Sequence, residues 1–332
     1  MSIIWNKPEI YFNEMAKGLQ LVNKNLFSYQ DLEGHLVMRK ETGKDKVVVI
    51  GISDGGHFPL YQGYVGKGFL DGCVIGDIFR TPSASQIYEL SHTLDSGKGI
   101  FLLYGNDYEG IQDQVEEAIF LLEKEGHHVR AYVVHDNAVM IPPLPFEKRK
   151  STPGALFLAK IACAAAEKGK NLEEISDLVE TCGSNLRSMG AIVKFCEDPI
   201  SRQCKNEIEE GYMNIGGQYH GEVGFETIPF SPAEVMADHM FRKMINLELC
   251  LQQGDKVAVL LTGLGATPLE SLYVYYDGLV EAIEKTGAHI VISYVGIYAT
   301  SLNTNGISCS ILKLEEGVEE LLLEKTETMI QF

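Results

Sequence analysis

Histidine is the one side chain whose ordinary protonation change falls near neutral pH, and this sequence places two histidines in glycine-rich settings. His220 lies in N-I-G-G-Q-Y-H-G-E-V-G-F-E (Asn214 to Glu226), between Gly216-Gly217 and the pair Gly221 and Gly224. His57 lies in D-G-G-H-F-P, from Asp54 to Pro59. Flanking glycines remove the Cβ atoms that would hold a ligand away from the backbone. Irregular loops on a rigid scaffold are where chemistry concentrates. Either histidine alone also suits an ordinary turn; the recurrence of the pattern far along the chain is what points to a site. Other candidates read more plainly. G-L-G-A-T-P, from Gly263 to Pro268, lacks the third glycine of a nucleotide fingerprint and reads as a strand-to-helix turn. His127-His128 and Glu116-Glu117 read as solvated helix surface, and Lys148-Arg149-Lys150 as a solvated loop.

The elements that must position these loops alternate between strand and helix. Residues 8–24 carry apolar side chains at helical spacing after a proline start. K-V-V-V-I (46–50) is a buried strand running into the His57 loop. Strands at 74–79, 99–104 and 129–134 and helices at 83–94 and 111–125 complete a βαβ series, with Ser83 a good N-cap. A long proline-rich loop spans 136–153, and two helices follow at 155–168 and 171–187. The second half has strands at 189–196, 207–216, 256–262, 290–296 and 310–314. Its helices begin at Ser231, at 267 and near the C-terminus. The expectation is an α/β fold of two domains, 1–188 and 189–332, each a mixed sheet flanked by helices, with the His220 loop in the second.

Composition narrows the function classes. The 332 residues suffice for two packed domains, and 45% hydrophobic content reads as globular. No window approaches the roughly 18 apolar residues of a membrane span, and the N-terminus lacks the sections of a signal peptide. Seven cysteines without a C-x-x-C pair fit reduced cytoplasmic thiols and argue against a zinc site or a disulfide framework. No cofactor or metal is expected. A net charge of −18 would repel phosphates, so any part in transcription must pass through a protein partner.

Read together, the motifs resemble the dihydroxyacetone-binding K subunit of bacterial dihydroxyacetone kinases. The family signature G-G-G-S-G-H-E-P-x-x-x-G-[YF]-[VI]-G-x-G-M-L reads here I-S-D-G-G-H-F-P-L-Y-Q-G-Y-V-G-K-G-F-L. T-S-P-T-x-x-Q reads R-T-P-S-A-S-Q, G-I-H-G-E-x-G reads Q-Y-H-G-E-V-G, and G-L-G-A-T-P-x-x-E-L-Y reads G-L-G-A-T-P-L-E-S-L-Y. The resemblance implies a two-domain subunit that dimerises and binds dihydroxyacetone. It implies that His220 forms a covalent hemiaminal with the ketone and that His57 holds the family's general acid/base position or hydrogen-bonds a ligand oxygen. It further implies ligand contacts at Asp54, Gly55, Gly56, Asn106 and Asp107. A neutral imidazole nitrogen adds to a carbonyl and has no second proton to lose, so capture stops reversibly at the hemiaminal. Glycerol, lacking a carbonyl, is excluded.

The departures from the pattern matter as much. Kinase subunits carry K-N-Y-x-G-D where this chain has G-N-D-Y-E-G, so Gly105 and Gly110 stand at the family's Lys and Asp positions. Loss of a positioned acid/base costs about 10²- to 10⁴-fold in rate, and Asp107 or Glu109 replaces it only after a loop shift. Asp54 stands for a glycine, and Phe58 for the glutamate after the histidine. Kept histidines with an eroded transfer apparatus resemble the family's coactivator paralogue, the DhaQ type. That resemblance implies a ligand sensor that pairs with a TetR-like transcription regulator to switch on the kinase operon. The alternatives left open are an active kinase subunit working with a nucleotide-carrying subunit, and a binder of a related ketose or aldehyde.

Overall fold

Apolar periodicity after Pro8 resolves into a short 3₁₀ turn, Pro8–Ile10, that runs into helix α1, Tyr11–Val22. The computed structural model describes the chain apart from residues 1–2, 32–33, 42, 44, 107–109, 139–148, 199–203, 205 and 245–247. Two strands that the sequence does not announce come next, β1 (Phe27–Tyr29) and β2 (Leu36–Arg39), paired antiparallel. The β-branched run then forms β3 (Val48–Gly55), longer than expected, because Ser53 and Gly55 still pair with β4, with Asp54 at an irregularity between them, rather than opening a loop.

Strands β4 (Gly72–Ile78), β5 (Ile100–Gly105) and β6 (Val129–Val134) join β3 in parallel, giving the order β1-β2-β4-β3-β5-β6. Helices α2 (Ala84–Leu94) and α3 (Ile111–Lys124) supply the crossovers. Ser83 caps α2 through a capping box, accepting from the Gln86 amide while Gln86 accepts from the Ser83 amide, as its sequence suggests. Val48, Ile50, Ile52, Ile100, Leu102 and Tyr104 share one core with the inner faces of α2 and α3. Each fully buried aliphatic side chain there contributes about 1.5–3 kcal/mol.

Helices α4 (Ala155–Glu167) and α5 (Leu172–Ser184) lead to the second sheet. It is made of β7 (Leu186–Lys194), β8 (Tyr212–Ile215), β9 (Glu226–Pro229), β10 (Lys256–Gly263), β11 (His289–Gly296) and β12 (Asn305–Lys313), in the order β11-β10-β12-β7-β8-β9. Only β10 and β11 pair in parallel; the other neighbours are antiparallel. Helices α6 (Ala233–Met244) and α7 (Leu269–Glu284) bury Met240, Phe241, Met244, Leu272, Tyr275 and Leu279 in a core shared with the sheet. Gly278 of α7 has no room for a Cβ, which would stand 2.8 Å from the Glu234 Cα. A short helix, α8 (Val318–Leu322), follows β12. The fold is therefore the two mixed, helix-flanked sheets expected.

The division of the chain differs from a single cut near residue 188. An N-terminal unit comprises Ile4–Val134, Leu156–Thr181 and Glu320–Phe332, and a C-terminal unit comprises Met1–Ile3, His135–Ala155 and Cys182–Glu319. Two non-local pairings account for this. In the N-terminal unit the Phe332 ring packs against Tyr64, Phe69 and Phe157 at 6.0, 6.0 and 5.6 Å. The Ile330 amide also donates to Gly63 O at 3.0 Å. In the C-terminal unit, Asn137 bridges to Ser188 of β7, and the Ser188 amide donates to Asp136 O at 2.9 Å. The described ends of the 136–153 loop belong there; the rest lies outside the described residues. Arg149 is no solvated loop residue: its guanidinium meets Glu248 at 2.5 Å, with the side chain 11% exposed.

Candidate functional site

In an open parallel sheet, ligands settle beyond the carboxyl ends of strands where successive connections leave in opposite directions. In the N-terminal unit that point lies between β3 and β5: β3 connects outward to β4 on one side, and β5 to β6 on the other. The carboxyl end of β3 carries Asp54, Gly55, Gly56 and His57, and that of β5 carries Gly105 and Asn106. Six of the residues singled out in sequence therefore share one end of one sheet. Asp107, and with it Glu109, lies outside the described residues.

The β3 end is built around an acid–imidazole pair. His57 Nε2 stands 3.1 Å from Asp54 Oδ2, and both residues are buried, at 2% and 3% exposure. An ionised carboxylate only accepts, so the Nε2 that faces Asp54 carries a proton. Ser53 Oγ donates to the other carboxylate oxygen at 3.3 Å. This gives the anion that replaces a family glycine a local function: it fixes the orientation of His57. A carboxylate-held imidazole of this kind is suited to accept a proton or to hydrogen-bond a ligand hydroxyl.

Two glycines make that geometry possible. Gly56 has φ +99°, and a Cβ there would stand 2.8 Å from the Phe79 ring, which packs 5.6 Å from the His57 ring. A Cβ on Gly55 would stand 2.8 Å from Gly76 O. Neither contact tolerates a side chain, so the turn brings bare backbone to the end of the sheet. Gly105, at the family's Lys position, is held inside the β5–β6 ladder opposite Val134. Gly110, at the family's Asp position, is the N-cap of α3 with φ +84°. Neither position offers an acid, a base or a cation.

His220 belongs to the C-terminal unit, in the loop joining β8 to β9. The side chain is 6% exposed, and the Tyr219 ring lies 3.9 Å from it, centroid to centroid. Tyr219 is fully buried and its hydroxyl pairs with Ser151 Oγ at 3.1 Å. Gln218, equally buried, accepts from Ser308 Oγ at 3.0 Å through Oε1. Gln218 is thus tied to β12, and Tyr219 to the segment that precedes α4.

Asn214, which the sequence does not single out, closes the mouth of the hairpin. Its Oδ1 accepts from the Gly224 amide at 2.6 Å, and its Nδ2 donates to Glu226 O and Thr227 Oγ1, each at 3.2 Å. Glycine is required on both sides of the loop. A Cβ on Gly224 would stand 2.0 Å from Ile215 O, and one on Gly190 of β7 would stand 2.0 Å from Gly217 O. Gly190 escapes a search centred on the histidine, because its contribution is to let β7 lie under the loop. No helix among the described residues is long and apolar enough to cross a membrane.

Comparison with known proteins gives the family and the fold. The Dak1 domain family model matches residues 17–330. The chain is 31% identical to the dihydroxyacetone-binding subunit DhaK of PTS-dependent dihydroxyacetone kinase 2 from Listeria innocua, over 93% of this chain and 92% of that one. It is 30% identical to L-erythrulose 1-kinase of Mycolicibacterium smegmatis, over 99% of this chain and 57% of that one. Among solved structures, the dihydroxyacetone kinase operon co-activator Dha-DhaQ superposes with a TM-score of 0.89 at 26% identity, covering 96% of this chain and 97% of the other.

Proposed function

This chain belongs to the Dak1 domain family, and on that premise we propose that it is a dihydroxyacetone sensor that activates a transcription regulator and transfers no phosphate itself. The observation that carries the reading is the replacement of the family's Lys and Asp by Gly105 and Gly110. Gly105 is locked in a strand ladder, and Gly110 holds a left-handed conformation at the start of a helix. An L-residue restored at Gly110 meets the steric cost of that conformation, roughly 1–2 kcal/mol. The likeness to the operon co-activator over nearly the whole of both chains supports the same reading.

In this reading His220 is the covalent residue. Its lone-pair ring nitrogen adds to the ketone carbon, and the C=O π bond opens. The carbonyl oxygen takes up a proton, and the proton on the other ring nitrogen is released. The net change is addition without loss of water, and it is reversible. His57, held by Asp54, donates or accepts a hydrogen bond to a ligand hydroxyl, with the backbone of Gly55 and Gly56 and the side chain of Asn106 as further contacts. Asp107 is a proposed contact from the family pattern alone. Ligand strengthens the complex with a TetR-like partner to the extent that the partner binds the loaded conformation more tightly. A homodimer in the cytoplasm is the expected working form.

A second reading is favoured by the Listeria relatives, both named kinase subunits, at 31% and 32% identity. It makes this chain an active subunit with a rearranged acid/base. The erythrulose kinases among the relatives extend both readings to other short ketoses. Phosphate transfer separates the two: the protein is mixed with dihydroxyacetone and a nucleotide-carrying kinase subunit with its phosphate donor. No transfer above a His220→Ala blank is expected. Turnover comparable to that of a kinase subunit overturns the sensor reading.

A further inference from the structure

Away from both histidine loops, three metal-binding side chains converge on the surface of the N-terminal unit. His92 sits in the last turn of α2, Glu125 closes α3, and His127 lies in the turn into β6. His92 Nδ1 is 3.1 Å from His127 Nε2. Glu125 Oε2 is 3.4 Å from His92 Nδ1 and 4.0 Å from His127 Nε2. In a tetrahedral zinc site with bonds of about 2.0–2.1 Å, neighbouring ligand atoms stand about 3.3 Å apart. The triangle of donor atoms has the size of one face of such a tetrahedron.

The donors are also oriented. Asp95 Oδ2 accepts from His127 Nδ1 at 2.7 Å, and the Asp95 side chain is only 6% exposed. That bond fixes the His127 tautomer, so the lone pair of Nε2 points toward His92. A carboxylate behind a ligating histidine is the usual outer partner of a metal-bound imidazole. Tyr88 makes contacts of 2.9 Å from its hydroxyl to both Glu125 oxygens, and its ring stacks on His92 at 5.6 Å and 20°. His127 is 18% exposed, so the pair His127-His128 is not simply the solvated helix surface its sequence suggests.

We propose that His92, Glu125 and His127 form a binding site for a divalent transition metal, zinc in the first instance. Asp95 and Tyr88 position the ligands, and the outward coordination position is left to water. Two imidazoles and a carboxylate match zinc by ligand type. The metal takes the place of the proton that otherwise lies between the two imidazole nitrogens. The cysteine pattern argues only against a thiolate site, and this one needs no thiolate.

The test is a titration of tag-free, EDTA-treated full-length protein with zinc chloride, followed by calorimetry, with Co²⁺ as a spectroscopic probe. One zinc per chain is expected, with a tetrahedral Co²⁺ spectrum that lacks thiolate charge-transfer bands. His92→Ala and His127→Ala should each weaken binding at least about tenfold, and Asp95→Asn, which leaves the ligands in place, by about 10- to 100-fold. The half-exposed Glu125→Gln variant repeats the test where folding is least at risk, and circular dichroism checks each variant. Zinc affinity unchanged in the His92→Ala/His127→Ala double variant overturns the proposal. So does zinc binding that disappears only when cysteines, such as the exposed Cys204 and Cys250, are alkylated.

Discussion

Gly224→Ala is the sharpest probe of how the His220 loop is built. The added Cβ would stand 2.0 Å from Ile215 O and 2.3 Å from the Gly217 nitrogen, both backbone atoms. Real Cβ contacts essentially never fall below 3.0 Å, so the first clash alone demands a displacement of about 1 Å. No side chain can rotate away to absorb it. The backbone must move, and it carries Gly217, Gln218 and His220 or breaks the 2.6 Å bond from the Gly224 amide to Asn214. Overpacking of this kind costs about 1–3 kcal/mol, and a misplacement near 1 Å at a reacting group costs about 100-fold in rate. Adduct formation with dihydroxyacetone, followed by intact-mass spectrometry over time, should slow by about two orders of magnitude while the far-ultraviolet spectrum is retained. Gly211→Ala is the control: it precedes the same hairpin at φ +86°, and its Cβ would meet nothing within 4 Å. It should lose some stability to backbone strain and keep its rate. Gly224→Ala capturing at the wild-type rate would refute the claim that this packing holds His220.

Two further outcomes test the scaffold. Burial pushes the Asp136 carboxyl up to about 6, from an ordinary 3.8, against donors on Thr152 and Ser188 that pull it down. The folded state then holds the proton more tightly than the unfolded one. The associated stability is complete below about pH 4 and is lost as pH rises through about 6, a change of roughly 3 kcal/mol. Asp136→Asn should flatten that part of the stability profile in thermal unfolding followed from pH 4 to 7; a slope unchanged by the substitution contradicts the assignment. In the N-terminal unit, Asp71 meets Arg39 at 2.9 Å and Lys46 at 2.7 Å, all three side chains under 10% exposed. Asp71→Asn leaves both cations with Glu167, 2.9 Å from Arg39 and 3.6 Å from Lys46, as the anion beside them, and should cost about 1–3 kcal/mol in urea unfolding, whereas a loss below about 0.5 kcal/mol would contradict a structural function for the Asp71 carboxylate.

What the sequence reveals follows from which interactions are local. Long apolar runs and the Ser83 cap can be read directly, and so can the glycine-flanked histidines, because period, capping chemistry and flanking residues all lie within a few positions. β1, β2 and β9 cannot, since strands of three or four residues are fixed by their neighbours rather than by their own pattern. Asp54 reads as a loop anion because its partner is visible only once β3 is seen to extend through Gly55 and turn His57 back onto it. The return of residues 320–332 to the N-terminal unit depends on Phe332 meeting rings hundreds of residues away, which no window of sequence contains. Asn214 and Gly190 share this character, because their function is to support the loop that carries the histidine.

The central claim is that His220 captures a small ketone covalently. Intact-mass spectrometry of the protein after incubation with dihydroxyacetone, beside His220→Ala and a glycerol control, tests it most directly. The account predicts a single addition of the full mass of dihydroxyacetone, without loss of water, reversed on dilution, and absent from both the variant and the glycerol sample. An unmodified wild-type protein, or an adduct that persists in His220→Ala, would contradict it.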